Sequence, residues 1–95
     1  MTARAIIGEE ARPRLAPHVR LKFDERRKQW VVLAPERLLM PDDIAVDVLQ
    51  RCDGRTSIAA MVDAFAATFD ADREEITGDV LALVQELINK GVLVS

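Results

Sequence analysis

The sequence predicts an α+β fold in which a three-stranded antiparallel sheet is followed by three helices. Between residues 18 and 40, apolar residues alternate with polar ones, which is the period of a half-buried strand. From residue 43 to residue 90, they recur every three to four residues, which is the period of an amphipathic helix. At 95 residues, the chain is long enough for one domain.

Three short strands are predicted first. The stretch "HVRLKFD" places Val, Leu and Phe on one side and charged residues on the other. The polar turn "DERR" follows, and "KQWVVLA", rich in Trp and Val, returns as the second strand of a hairpin. Pro35 and Glu36 end that strand, and "RLLM" runs into Pro41, which favours extended geometry in the residue before it. The third strand is therefore short.

Two helices follow the strands. Asp42 and Asp43 supply N-cap oxygens for the first, at about residues 43 to 52, which "DG" stops. Thr56 or Ser57 caps the second, which carries the clearest helical periodicity of the chain. The apolar stripes predicted to face the core are Ile44, Ala45, Val48, Leu49 and Cys52 in the first helix and Ile58, Met61, Val62, Phe65 and Phe69 in the second.

The third helix begins at Asp72, which with Glu75 resembles a capping box, and Gly91 is placed to end it. Its apolar stripe is Ile76, Val80, Leu83, Val84, Leu87 and Ile88. Leu81 widens the stripe beyond one core contact, so part of this helix is expected to face something else. The final "VLV" fits either a short strand or a segment that packs under the helix.

Composition excludes several classes of function. The single cysteine, Cys52, completes an apolar stripe, and the single histidine, His18, has no second ligand at a spacing typical of metal sites. Neither zinc nor redox chemistry is therefore predicted, and no cofactor or metal is expected. No glycine-rich phosphate loop is present. The acidic pairs each begin a helix, where carboxylates favour the N-terminal dipole, and no catalytic residue is assigned. Without a membrane span or secretory signal, a cytoplasmic location and no membrane partner are expected.

Charge is unevenly distributed along the chain. Residues 1–28 carry eight Lys and Arg against four Asp and Glu, a net +4, whereas residues 29–95 carry five against twelve, a net −7. This asymmetry favours charged partners. The third helix is acidic and would repel phosphate, so a winged-helix regulator that binds nucleic acid is the disfavoured alternative.

The third strand leaves one edge of the sheet unpaired if it pairs only with the second. Such an edge can accept a partner's extended peptide as a further strand, with the third helix supplying a pocket. It can also pair with the same edge of a second copy, which would make the chain a homodimerisation module. A third possibility is that the edge is merely short and is protected by Arg37 and the neighbouring prolines.

The motifs "DERR", "LAPER", "DG.T" and "DV…L…L…G.L", in this order and spacing, resemble the PqqD family of pyrroloquinoline quinone biosynthesis. The match covers about residues 13 to 94, so residues 1–13 are expected to be a flexible lead-in and residues 14–95 a PqqD-like peptide-recognition domain. The resemblance implies a small winged-helix-like fold and a protein that is not an enzyme.

The resemblance also implies two partners. PqqD-like proteins bind the precursor peptide PqqA and present it to the radical SAM enzyme PqqE, which joins a Glu to a Tyr side chain. In this fold class the peptide docks as an added strand on the third strand, beside the third helix. The peptide-binding residues implied are Arg37, Leu38, Leu39, Met40, Asp79, Val80, Leu83 and Leu87. The basic turn Arg26, Arg27 and Lys28 is implied to contact PqqE or acidic residues of PqqA.

Overall fold

The structure is a computed structural model, which describes residues 7–95. The elements in chain order are β1 Arg14–Leu15, β2 Arg20–Asp24, β3 Gln29–Ala34, β4 Arg37–Leu39, α1 Asp43–Gln50, α2 Ile58–Phe69, α3 Arg73–Asn89 and β5 Leu93–Val94. Strands β2, β3 and β4 form an antiparallel sheet in that order, and the three helices follow it, which confirms the predicted fold class. Within residues 7–95, no helix is long and apolar enough to span a membrane.

A second, two-stranded sheet joins the ends of the domain. Strand β1 pairs antiparallel with β5, so "VLV" does return as a strand. Each of these strands has only two residues, too few to show a period in the sequence. The turn after α3 fixes the path of β5: the Gly91 N–H donates to the Ile88 carbonyl at 3.0 Å and the Val92 N–H to the Leu87 carbonyl at 2.9 Å. This is a Schellman motif, and Gly91 has the left-handed φ of 81° that it needs.

Several predicted boundaries move by one or two residues. The first long strand begins at Arg20 instead of His18, because His18 has a φ of 68° and the Val19 N–H turns back to the Ala16 carbonyl. Helix α1 ends at Gln50 and not at residue 52, since the Arg51 and Cys52 N–H groups bond three residues back in a tighter final turn.

The helix caps are partly as predicted. The Asp42 side chain caps α1 and the Ser57 side chain caps α2, each through an N–H bond three residues later, at 2.8 and 3.1 Å. The capping box predicted at Asp72 is wrong: Asp72 is the N-cap residue of α3 but its side chain makes no capping hydrogen bond.

The core lies between one face of the β2–β3–β4 sheet and the three helices. Its centre is fully buried and includes Val32, Val48, Ile58, Met61, Val62, Val84, Val92 and Leu93. Two residues of the predicted helical stripes lie outside it: Ile44 is 69% exposed and Phe69 58% exposed. Periodicity identifies the side of a helix, but α1 and α2 each extend one turn beyond the elements that cover them.

The lead-in predicted for residues 1–13 falls partly outside the described residues. The described part contacts the domain, since the carbonyls of Glu9, Ala11 and Pro13 accept bonds from Ala59, Ile58 and Gly54 at 2.9 to 3.0 Å. Its flexibility and the boundary at residue 14 stay predictions.

The "DG.T" motif is a structural loop. Asp53 Oδ1 accepts the N–H groups of Arg55 and Thr56, both at 2.8 Å, and these bonds lower the pKa of the Asp53 carboxyl. Gly54 has a φ of 79°, and a Cβ there would lie 3.3 Å from Arg14 Cδ. The loop thereby holds β1 against the end of α1 and supplies no groove residue.

Candidate functional site

Strand β4 ends the three-stranded sheet, and within residues 7–95 no strand pairs with its outer edge. The two-residue turn Pro35–Glu36 joins Ala34 to Arg37, which face each other across β3 and β4. The two residues that close such a turn form a hydrogen-bonded pair, and bonded and non-bonded pairs alternate along an antiparallel ladder. The N–H and C=O of Leu38 therefore point to the free edge, and those of Leu39 point to β3.

Beside this edge lies a groove between β4 and α3. Its apolar floor is formed by Leu39 and its cross-strand partner Val32, by Ala45 and Leu49 from α1, and by Leu83 and Leu87 from α3, with Met40, Pro41, Asp42, Glu86 and Lys90 at the rim. Glu86 and Lys90 form an ion pair of 3.3 Å, four residues apart on α3. The arrangement offers one strand edge for backbone hydrogen bonds and an apolar floor for alternate side chains.

The structure brings together half of the predicted peptide-binding residues. Leu39, Met40, Leu83 and Leu87 line the groove. Leu38 lies on β4, but its side chain is 47% exposed on the opposite face of the sheet, beside Leu33. Arg37 is exposed at the start of the strand and does not line the groove.

Asp79 and Val80 lie elsewhere. They line a second groove, formed by α1, α2 and the first half of α3. The physical reason is length: the three residues of β4 extend only about 10 Å, whereas α3 is about 25 Å long. The strand therefore faces only the second half of α3, although the periodicity places the whole stripe on one side.

Sequence reasoning missed the contributions of α1 and of the α3 rim. Glu86 and Lys90 each follow a groove leucine by three residues, so helical spacing could have found them. The helical spacing places Ala45 and Leu49 in the core only, and nothing in the local pattern distinguishes a core position from one at the floor of a groove.

The basic turn Arg26, Arg27 and Lys28 connects β2 to β3 and is exposed. Asp24 organises it, since its Oδ1 accepts the Arg26 N–H at 2.9 Å and the Arg27 N–H at 3.2 Å. The turn lies at the same end of the sheet as Met40, whose Sδ accepts a bond from Gln29 Nε2 at 3.1 Å. The cations therefore lie at the end of the sheet where β4 finishes.

The remaining chemistry-bearing groups are structural. Burial, together with the Asp53 charge, raises the pKa of the Cys52 thiol to about 12, and its Sγ donates to the Val48 carbonyl at 3.1 Å. A thiol with this pKa stays protonated at neutral pH and is a poor nucleophile. Within residues 7–95, no group of three His, Cys, Asp or Glu side chains could hold a metal ion.

Comparison with known proteins places these features in a family. Residues 29–93 match the family model described as Coenzyme PQQ synthesis protein D (PqqD). The PqqA binding protein of Rhodopseudomonas palustris strain HaA2 is 54% identical over 87 residues, which are 92% of this chain and 85% of that protein.

Two solved structures share the fold. One is the solution NMR structure of the PqqD truncation of Methylobacterium extorquens PqqCD, a functional, stand-alone recognition element for ribosomally synthesized and post-translationally modified peptides. It is 42% identical, covers 96% of each chain and has a TM-score of 0.78. The other, lasso peptide synthetase B1 complexed with its leader peptide, is 22% identical, covers 90% of this chain and all of that one, and has a TM-score of 0.77, which shows likeness of fold.

Proposed function

The chain belongs to the PqqD family, and we propose on that premise that it is a non-catalytic chaperone for a precursor peptide of the PqqA type. Residues 14–95 form the peptide-recognition domain, and the peptide binds as a fourth strand on β4. The observation that carries the proposal is the free edge of β4 beside an apolar groove.

The proposed binding residues follow from this geometry. The Leu38 backbone supplies the donor and acceptor at the edge. Leu39, Leu83 and Leu87 form the floor that receives every second peptide side chain, because alternate residues of a strand point to the same face. Met40 closes the groove at one end, and the Glu86–Lys90 pair borders it on α3.

Presentation of the peptide to the radical SAM enzyme PqqE is the second part of the proposal. The basic turn Arg26 to Lys28 is the proposed contact with that enzyme, because it is exposed and lies at the same end of the sheet as Met40. Both proposed steps take place in the cytoplasm, and the single cysteine, which can form no internal disulfide, fits this location.

Titration with synthetic PqqA tests the binding step. We expect a saturable 1:1 heat signal with a negative heat-capacity change, because apolar surface is buried. Incubation with this chain alone should leave the mass of the peptide unchanged, since the chain is proposed to be no enzyme. A folded protein that gives no heat and causes no change in peptide fluorescence anisotropy would contradict the proposal.

The presentation step has its own test. Cross-linking of PqqA by PqqE should be faster when this chain is present. The Arg26→Glu/Lys28→Glu variant should lose that acceleration yet still bind PqqA. The matched double charge reversal Arg12→Glu/Arg55→Glu, at exposed positions away from this turn, should have no effect. Equal rates with and without the chain would contradict presentation without affecting the binding step.

Homodimerisation through the same edge is the competing possibility for β4. It predicts a mass by light scattering that rises with concentration and falls when PqqA is added. A mass of one protomer at all concentrations excludes it.

A further inference from the structure

A second groove lies between α1, the end of α2 and the first half of α3. Its floor is apolar and consists of Ile44, Phe65, Phe69, Ile76 and Val80. Ile44 and Phe69, the residues that periodicity placed in the core, are among the most exposed large apolar side chains of residues 7–95. The groove is open to solvent along one side and has a volume of about 210 Å³, compared with roughly 150 Å³ for a closed cavity that accepts benzene. An aromatic or branched side chain therefore fits.

Carboxylates border this apolar floor on two sides. Asp47 lines it from α1 and Asp79 from α3. One turn earlier on the same helices stand Asp43 and Glu75, which i, i+4 spacing places on the same sides. None of the ion pairs within residues 7–95 includes Asp47 or Asp79.

One cation lies beside the groove: the Arg51 guanidinium carbon is 4.7 Å from the centre of the Phe65 ring. Four carboxylates against this one guanidinium give the groove a formal charge of −4 + 1 = −3. Desolvating such a surface against a neutral or acidic partner would be costly, whereas a basic partner complements it.

The secondary structure around the groove favours a helical partner over an extended one. Three helices form it and no strand edge enters it, so an extended peptide would find no backbone partner there. An α-helix satisfies its own backbone and presents an apolar stripe.

We propose that the groove formed by Ile44, Phe69 and Ile76 is a docking site for an amphipathic helix of a partner protein, with an apolar stripe bordered on both sides by Lys or Arg. The stripe lies on the apolar floor, and the cations on its two sides meet Asp47 and Asp79. This groove shares no lining residue with the β4–α3 groove, so the proposed peptide and the helix can be bound together.

The test uses a synthetic helical peptide of about 15 residues, with Leu at i, i+4, i+7 and i+11 and Lys on both flanks, titrated into isotope-labelled protein. We expect saturable shifts of the Ile44 and Ile76 methyl and Phe69 ring signals, and no shifts when Glu replaces each Lys. Asp47→Asn/Asp79→Asn should raise the Kd about 3- to 10-fold. Ile44→Ser, which removes an exposed side chain and leaves the core intact, should abolish the shifts.

The matched control is Glu25→Gln/Glu74→Gln, which changes the net charge equally at exposed positions outside the groove. It should leave the Kd unchanged. Equal weakening by both double variants would overturn the proposal, because binding would then follow net charge alone. Shifts centred on the β4–α3 groove, or no shifts with 1 mM peptide, would also overturn it.

Discussion

Replacing Leu38 by proline tests whether the peptide binds as a strand at the free edge of β4 (the edge-strand mode), because the change removes one backbone N–H group. The ladder geometry places the Leu38 N–H on the free edge of β4, and its side chain on the opposite face, away from the groove. Proline is tolerated at the edge of a sheet because the missing N–H faces solvent. Leu39→Pro would not make the same test, because the Leu39 N–H points to β3 and the change would weaken the sheet itself.

The expected loss follows from one backbone hydrogen bond. A net contribution of about 0.5 to 1.5 kcal/mol corresponds to an increase in Kd of about 2- to 12-fold. The proline ring adds a steric penalty where the peptide backbone approaches within about 5 Å of β4, so we expect the upper part of this range.

Calorimetric titration with PqqA measures the change, and circular dichroism establishes that the variant is folded. Leu38→Ala is the matched control, because it removes the same side chain and keeps the N–H, and we expect it to bind PqqA as the natural chain does. A folded Leu38→Pro variant with unchanged affinity would refute the edge-strand mode. Equal weakening by both variants would show that the side chain acts and not the N–H.

Three further predictions concern the groove, the backbone and the buried thiol. Leu83→Ala should weaken PqqA binding about tenfold, since it removes about 1 to 2 kcal/mol of apolar contact. Leu81→Ala, outside the groove, should not weaken binding. Equal effects of the two variants in a titration with PqqA would contradict the assignment of Leu83 to the groove floor. Gly78→Ala, with no atom within 4 Å of the added Cβ, should stabilise α3 by about 0.5 to 1 kcal/mol, and Gly54→Ala should destabilise by about 1 to 2 kcal/mol because of its positive φ. Urea unfolding measures both, and a reversed order would count against this geometry. Burial raises the pKa of the Cys52 thiol from 9.0 to about 12, so the stability that the protonated thiol contributes is fully present below pH 9 and is lost between pH 9 and 12. The Cys52→Ala variant should therefore lose less unfolding free energy than the natural chain over this pH range. An identical pH profile for the two proteins would contradict the burial of this thiol.

The sequence predicted the main sheet and the helices because their periods differ and their ends are marked by proline, glycine and aspartate. It could not predict β1 or distinguish two alternatives for β5, since strands of two residues have no period and their pairing joins residues that lie 78 or more positions apart in the chain.

The residues of the candidate site were also only partly predictable from the sequence. The edge at β4 follows from the order of three strands, and Leu83 and Leu87 follow from the helical stripe. The family resemblance implies Asp79 and Val80 for the same groove, but neither it nor the apolar stripe shows how far the groove extends along α3, which depends on the length of β4. Ile44 and Phe69 were placed in the core for a related reason: a stripe does not show whether another element covers its last turn.

The most direct test of edge-strand binding is an NMR titration of isotope-labelled protein with PqqA, read through amide shifts and contacts between the two chains. The predicted result is large shifts at residues 37–40 and 83–90, with nuclear Overhauser contacts between peptide Hα atoms and the backbone of Leu38. Saturable shifts without contacts along β4, or shifts confined to β2 and the α1–α2 surface, would contradict it.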